Sequence, residues 1–271
     1  MKKFKRVLLI ILKILVGLYA LVCILFFFFQ EKLIFIPEKL SEDYEFNFNK
    51  DFEEINIEVE EEIVLNGILF KSQEPRGLVF YLHGNAGSLR TWERASKPYT
   101  DSDYDIFIID YRGYGKSDGK IQSQKQLYQD MQIAYDEIRK QYSEENIIVL
   151  GYSLGTGIAA KIASTNNPKS LILLAPYYSL NWALSQTYPY LPGFLLRYKL
   201  KTNKYIEECE MPIYLIHGKK DQLFNYEASI KLNSVNPEWS KVKILDGLGH
   251  QDLANDTTFI EEIMSILKTS E

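Results

Sequence analysis

The sequence predicts an α/β fold: a mostly parallel, eight-stranded sheet flanked by helices, with a small cap, preceded by one N-terminal transmembrane helix. Three observations predict it. Short unbroken apolar runs, such as Gly77 to Leu82 and Ile106 to Ile109, have the length and composition of strands covered on both faces. Segments of helical periodicity separate them; in Gln126 to Tyr142, Leu127, Met131, Ala134 and Ile138 fall on one stripe. The pentapeptide Gly151-Tyr152-Ser153-Leu154-Gly155 then joins a strand-like run to a small-residue helical segment. Strands alternating with helices bury a parallel sheet under helices on both faces.

The elements follow in order. Met1 to Arg6 carries Lys2, Lys3, Lys5 and Arg6, and Val7 to Phe29 is apolar with Lys13 as its one charge. As a helix that run is about 34 Å long, enough for a hydrocarbon core of about 30 Å. Lys13 lies close enough to the start to snorkel. A cleaved signal peptide would need a small-x-small site, but the far end reads Phe26-Phe27-Phe28-Phe29-Gln30. Val22 ahead of Cys23 does not suit lipoprotein processing either. Residues 1–6 therefore read as a cytoplasmic tail, 7–29 as an uncleaved transmembrane anchor, and 30–271 as one domain. The basic start places that domain on the extracytoplasmic side.

Within the domain, Ile55 to Glu60 and Ile63 to Lys71 read as an antiparallel pair, with a bend permitted at Asn66-Gly67. Further strands are expected at 77–82, 106–109, 146–150, 171–174, 213–216 and 242–245, and helices at 126–142, 155–163, 224–232 and 259–267. Residues 177–210 break the alternation. They hold Trp182, Tyr188, Tyr190, Phe194 and Tyr198, with Pro189, Pro192 and Gly193 interrupting any long helix. Two readings stand for them: a crossover helix with core aromatics, or a small cap supplying an apolar acyl pocket. Arg197, Lys199, Lys201 and Lys204 read as a solvated face.

Charge and cysteine usage exclude some functions. Five of the 31 basic residues precede Glu31, and all 36 acids lie at or beyond it, so the remainder has 26 basic and 36 acidic residues, a balance of −10. Such a balance argues against nucleic acid as partner. Two cysteines, Cys23 and Cys209, with neither a CxxC nor an HExxH, give no disulfide framework and no metal site. No metal or organic cofactor is expected.

GYSLG between strand and helix describes a nucleophile elbow, a turn that lifts Ser153 above the sheet. Its glycines are needed because side chains there would collide with the adjoining strand and helix. A serine nucleophile needs a base. His83 and His217 each end a buried strand ahead of a glycine and read as structural, whereas His250 lies in a loop after the last predicted strand. A base on that edge can reach the elbow. The base needs a carboxylate, and Asp221, just past the strand ending at Ile216, is the acid so placed. The order Ser153, Asp221, His250 is that of strand-end catalytic loops. The expected oxyanion donors are the backbone N–H groups of Leu154, next to the nucleophile, and of Asn85 in the loop His83-Gly84-Asn85-Ala86-Gly87. No Lys-Ser/Thr follows that loop, which weakens a phosphate-cradle reading.

With these residues placed, roughly residues 50 to 268 resemble the α/β-hydrolase superfamily. The matches are HGNAG (83–87), DYRGYGKSDG (110–119), GYSLG (151–155), HGKKD (217–221) and GLGHQDL (247–253). Together with the anchor and Leu33-Ile34-Phe35-Ile36-Pro37, they resemble the membrane-anchored branch holding protein depalmitoylases and bacterial serine-aminopeptidase-like hydrolases. The resemblance implies an ester, thioester or amide hydrolase acting on a small-molecule, lipid or acyl substrate. A peptidase and a catalytically silent binding protein are the alternatives. The chain departs from the pattern at Gln222-Leu223, where relatives usually carry a small aliphatic residue and then proline. Asp110 is assigned a structural turn rather than a catalytic role.

Overall fold

In the computed structural model, which describes residues 2–252 and 256–269, the eight apolar runs pair into one sheet. Met1 of the basic tail, Leu253 at the end of the GLGHQDL motif and the last two residues of the domain lie outside the described residues. The strands are β1 (Phe52–Glu60), β2 (Ile63–Phe70), β3 (Leu78–Leu82), β4 (Asp105–Ile109), β5 (Ile147–Tyr152), β6 (Ser170–Leu174), β7 (Ile213–Gly218) and β8 (Ser240–Leu245). Their spatial order is β1-β2-β4-β3-β5-β6-β7-β8. β1 with β2 and β2 with β4 are antiparallel, and the other neighbours are parallel.

The period of two sorts each strand between two cores. Leu78, Phe80 and Leu82 face one cluster with Met131, Ala134 and Ile158, while Val79 and Tyr81 face the other with Phe259 and Ile263. The apolar stripe of the helix Gln124–Ile138 covers the first face, and the helix Thr257–Thr269 covers the second. Ser123 caps the former helix, its Oγ accepting from the Gln126 N–H at 3.1 Å. That helix ends at Ile138, short of the expected Tyr142.

The bend that Asn66-Gly67 permits does not occur. Both residues lie inside β2, and the chain reverses at Glu61-Glu62, with Glu62 at φ +61°. Gly67 serves packing instead: a Cβ there would lie 2.3 Å from the Phe107 ring.

β5 lies beside β3 although β4 intervenes in sequence, and this sets up the site. Leu82 at the end of β3 registers with Gly151 near the end of β5. The HGNAG loop and the elbow therefore leave the sheet side by side at its carboxyl edge, where α/β folds place their ligands.

The N-terminal helix, α1, runs from Lys2 to Ile34, beyond the expected span. It is long and apolar enough to cross a membrane, and its apolar side chains are largely exposed. Two residues past its end, Ile36-Pro37 pairs in parallel with Ala86-Gly87 of the HGNAG loop. Residues 177–210 form the excursion between β6 and β7, with the short helices α2 (Leu180–Thr187) and α3 (Thr202–Ile206). The excursion leans on α1. Gln30 is buried, donating from Nε2 to the Leu195 carbonyl at 3.1 Å and accepting the Arg197 N–H at 2.7 Å. Phe35 and Tyr198 meet edge to face at 5.1 Å.

Candidate active site

At the end of β5 the chain turns so sharply that Ser153 sits at φ +51°, a conformation costly for a residue with a Cβ. The flanking glycines permit it. A Cβ on Gly155 would lie 2.0 Å from the Leu82 carbonyl oxygen, and one on Gly151 would lie 2.5 Å from the Gly155 carbonyl oxygen. The Ser153 N–H donates to the Leu174 carbonyl at 2.9 Å, and Thr156 Oγ1 donates to the Ser153 carbonyl at 2.7 Å. The strained residue is thus held from both sides.

Ser153, His250 and Asp221, chosen from sequence, meet in one line. His250 Nε2 lies 2.9 Å from Ser153 Oγ, and His250 Nδ1 lies 2.6 Å from Asp221 Oδ2. A carboxylate only accepts, so Nδ1 carries the proton and Nε2 is left to accept the serine hydroxyl. Two further contacts aim the imidazole. Tyr152 Oη donates to the His250 carbonyl at 2.7 Å, and the Phe224 ring stands edge-on at 5.6 Å.

Asp221 is anchored more firmly than its partner. Its Oδ1 accepts the Leu223 and Phe224 N–H groups, both at 2.8 Å, and His217 Nε2 approaches Oδ2 at 3.2 Å. Burial alone would raise this carboxyl group, but the hydrogen bonds from His217, His250 and the Phe224 backbone outweigh it. They hold Asp221 well below the usual carboxylate range. His217 is itself fixed by Ser229 Oγ at 2.8 Å and the Phe224 carbonyl at 2.9 Å. Sequence reading gave it a structural part; its contact with Asp221 could not be read from a strand-end position alone.

Around Asn85, buried contacts fix both adjoining peptide groups. His83 Nδ1 donates to the Gly84 carbonyl at 2.7 Å, and this carbonyl shares its peptide plane with the Asn85 N–H. The Asn85 carbonyl accepts from the Ile36 N–H at 2.8 Å and from Tyr114 Oη at 2.7 Å. His83 Nε2 in turn lies 3.4 Å from Asp110 Oδ1, both side chains fully buried, and Asp110 Oδ2 accepts the Leu89 N–H at 3.1 Å. Burial raises the Asp110 carboxyl group. His83 and Asp110 are therefore placed to orient the loop, through a contact that joins two segments distant in sequence. Leu154, the other expected donor, is the N-cap of the helix Gly155–Ser164, whose positive end faces the elbow.

A cavity of about 340 Å³ opens beside Ser153 and His250. Its walls include Tyr81, Trp92, Tyr99, Tyr152, Leu223 and Phe259. No described residue of 177–210 lines it, which corrects the expectation of an acyl pocket built by that segment. Within the excursion the Tyr198 ring packs on Phe35 just past α1, while Tyr188, Tyr190 and Phe194 are exposed. The wall comes from three short helical turns over residues 89–100, between β3 and β4. No periodicity marks so short a stretch in sequence.

Cys209 is buried, and burial pushes its thiol up to about 12, which suits an inert packed residue.

Strand order, elbow and the aligned serine, histidine and aspartate together define an α/β-hydrolase architecture, and known proteins agree. A family model described as serine aminopeptidase, S33, matches residues 73–203. The Danio rerio lysophosphatidylserine lipase ABHD12 is 26% identical over 184 residues, covering 60% of this chain and 47% of that protein. The Homo sapiens alpha/beta hydrolase domain-containing protein 17C is 29% identical over 169 residues, covering 60% and 49%. The chain spans about half the length of these curated relatives. Among solved structures, the Pyrococcus furiosus esterase Pf2001 superposes with a TM-score of 0.68 at 18% identity, covering 88% of this chain and 96% of its own. The chain has the α/β-hydrolase fold and is similar in sequence to members of that superfamily.

Proposed function

We propose that this protein is a membrane-anchored serine hydrolase that cleaves carboxylic ester or thioester bonds of apolar acyl substrates. The observation that carries the reading is the hydrogen-bonded line from Asp221 through His250 to Ser153, at 2.6 and 2.9 Å. In the first step the Ser153 hydroxyl proton passes to His250 Nε2 as Oγ bonds to the acyl carbon. The Asn85 and Leu154 N–H groups hold the resulting oxyanion, which collapses as His250 protonates the departing alkoxide or thiolate. Water then gives its proton to His250 and attacks the acyl-enzyme; collapse releases the acid and returns the proton to Ser153. Asp221 stays ionised throughout and stabilises the imidazolium.

Two features support an apolar acyl substrate. The cavity beside Ser153 carries the rings of Tyr81, Trp92, Tyr99, Tyr152 and Phe259 in its wall. The loop holding Asn85 is tied to Ile36-Pro37, two residues past the anchor helix, so the site lies close to the surface from which α1 emerges. The names of an ABHD12 lipase and a Pyrococcus esterase among similar proteins point the same way. The serine aminopeptidase description of the matching family model favours a second reading, an amidase acting on small peptides.

Labelling with a fluorophosphonate tests the chemistry. The wild-type chain is expected to label and Ser153→Ala not to; equal labelling of the two would overturn the reading. An ester series of increasing acyl length, run beside aminoacyl amides, tests the substrate class. Preference for the amides would move the protein to the second reading.

A further inference from the structure

The excursion between β6 and β7 carries eight consecutive residues without a charge, Tyr188-Pro189-Tyr190-Leu191-Pro192-Gly193-Phe194-Leu195. Three of its rings stand in the open: Tyr188 is 57% exposed, Tyr190 84% and Phe194 80%. A monomeric soluble surface rarely gathers large aromatics in this way, and such patches mark contact with a partner or a membrane.

Its placement on α1 identifies what it meets. Tyr19 Oη donates to the Tyr190 carbonyl at 2.7 Å, and Gln30 Nε2 donates to the Leu195 carbonyl at 3.1 Å. Along a helix, the eleven steps from Tyr19 to Gln30 rise about 16 Å. The segment therefore runs beside α1 from the end of its apolar stretch to the middle of it. Half of a hydrocarbon core is about 15 Å. At the base, Arg197 pairs with Glu31 and lies over the Phe27 ring at 5.5 Å, a pattern suited to the boundary between hydrocarbon and headgroups.

We propose that residues 188–195 form a wedge that enters the bilayer beside α1, roughly one leaflet deep on the side of the hydrolase domain. The wedge rests on the reading of α1 as a membrane anchor. Whatever is bonded to the middle of a spanning helix lies at that depth, so the occupant of this face is the acyl region of the lipid.

The backbone of the wedge is partly paired; among the described residues the N–H groups of Tyr190, Gly193 and Phe194 lack a backbone acceptor. Unpaired backbone groups in hydrocarbon cost several kcal/mol each. Pro189 and Pro192 have no N–H, and the N–H groups of Tyr188, Leu191, Leu195 and Leu196 bond to the Leu184, Tyr188, Pro192 and Gly193 carbonyls. The Tyr190 and Leu195 carbonyls accept from α1. Two attachments, α1 and the wedge, then fix the tilt of the domain as well as its distance from the bilayer.

The test uses the full chain with Cys23→Ser, leaving the buried Cys209 in place, and one added cysteine: Val16→Cys in α1, Phe194→Cys in the wedge, or Trp239→Cys on the domain. Each is labelled with a nitrobenzoxadiazole fluorophore and reconstituted into phosphatidylcholine vesicles, with doxyl-labelled acyl chains or aqueous iodide as quenchers. Labels at positions 16 and 194 are expected to be quenched by the acyl doxyl at least about twice as strongly as at 239, and to be shielded from iodide. Iodide quenching at 194 with lipid quenching at 16 would overturn the wedge and leave the anchor. Shielding of 194 from both quenchers would overturn it in favour of a protein contact. Iodide quenching at both 16 and 194 would overturn anchor and wedge together.

Discussion

Two buried carboxylates beside the elbow have opposite electrostatic settings, and the difference predicts what each contributes. Asp221 is held low by donors from His217, His250 and the backbone against the opposing effect of burial, whereas burial dominates at Asp110 and raises it. Asp221→Asn removes the acceptor that fixes the His250 tautomer, and a loss of about 10⁴-fold in kcat is expected, measured by ester turnover. The same carboxylate gives a pH signature. Its folded value lies below its unfolded value of about 3.9, so the unfolded chain binds more protons in between. The stabilisation is present above that value and is lost as pH falls below about 4. Urea midpoints between pH 5 and pH 3 should therefore fall more steeply for the wild type than for Asp221→Asn. Asp110→Asn acts at one remove, through His83 and the Gly84–Asn85 peptide. A loss of about 10- to 100-fold in kcat at little-changed KM is expected, less than the 10²–10³ typical of losing an oxyanion donor outright. A steady-state split of kcat from KM checks it. The meeting of Ser153, His250 and Asp221 was legible because each follows a buried run, so sequence position translates directly into a place on one sheet edge. The contacts of His83, Asp110 and His217 were not. Each depends on partners brought in from other strands and loops, such as Ser229 and Phe224 around His217.

At the scale of elements, the elbow has the narrowest tolerance. A Cβ on Gly155 would meet the Leu82 carbonyl at 2.0 Å, backbone against backbone, with no flexible side chain to yield. Gly155→Ala should destabilise the fold by about 1–3 kcal/mol and reduce fluorophosphonate labelling, read from thermal melts and labelling side by side. The collision was foreseen from the motif, since strand, turn and helix are contiguous in sequence. The excursion 177–210 shows the opposite case. Its aromatics and prolines revealed an irregular segment but not the surface it faces. The choice between Ser153 and α1 was made by Gln30, a single polar residue some 160 positions away whose side chain bonds to Leu195 and Arg197. The absence of the bend permitted at Asn66-Gly67 has a similar cause. The pair favours turns locally, but Gly67 is required in β2 by the Phe107 ring from the neighbouring strand.

For the whole molecule, the flanking charges predict which side of the membrane carries the domain. Lys2, Lys3, Lys5 and Arg6 precede the apolar stretch, whereas the flank after it, Glu31 to Lys39, holds two lysines and two acids. Acids contribute little to orientation, so the comparison is four basic residues against two, and the prediction is an N-terminus in the cytoplasm. The balance of −10 beyond residue 30 does not oppose this, because large domains cross largely regardless of charge. In right-side-out membrane vesicles an added protease should digest the domain. In inside-out vesicles it should do so only after detergent. Replacing Lys2, Lys3, Lys5 and Arg6 with glutamine leaves Lys32 and Lys39 to dominate, apart from Lys13 within the apolar run, and inverted molecules protected in right-side-out vesicles should then appear. Protection of the unaltered domain in right-side-out vesicles would place Ser153 and its substrate on the cytoplasmic face. The wedge would then enter the inner leaflet, since Tyr19 and Gln30 fix it to the domain end of α1 whichever way the helix is threaded.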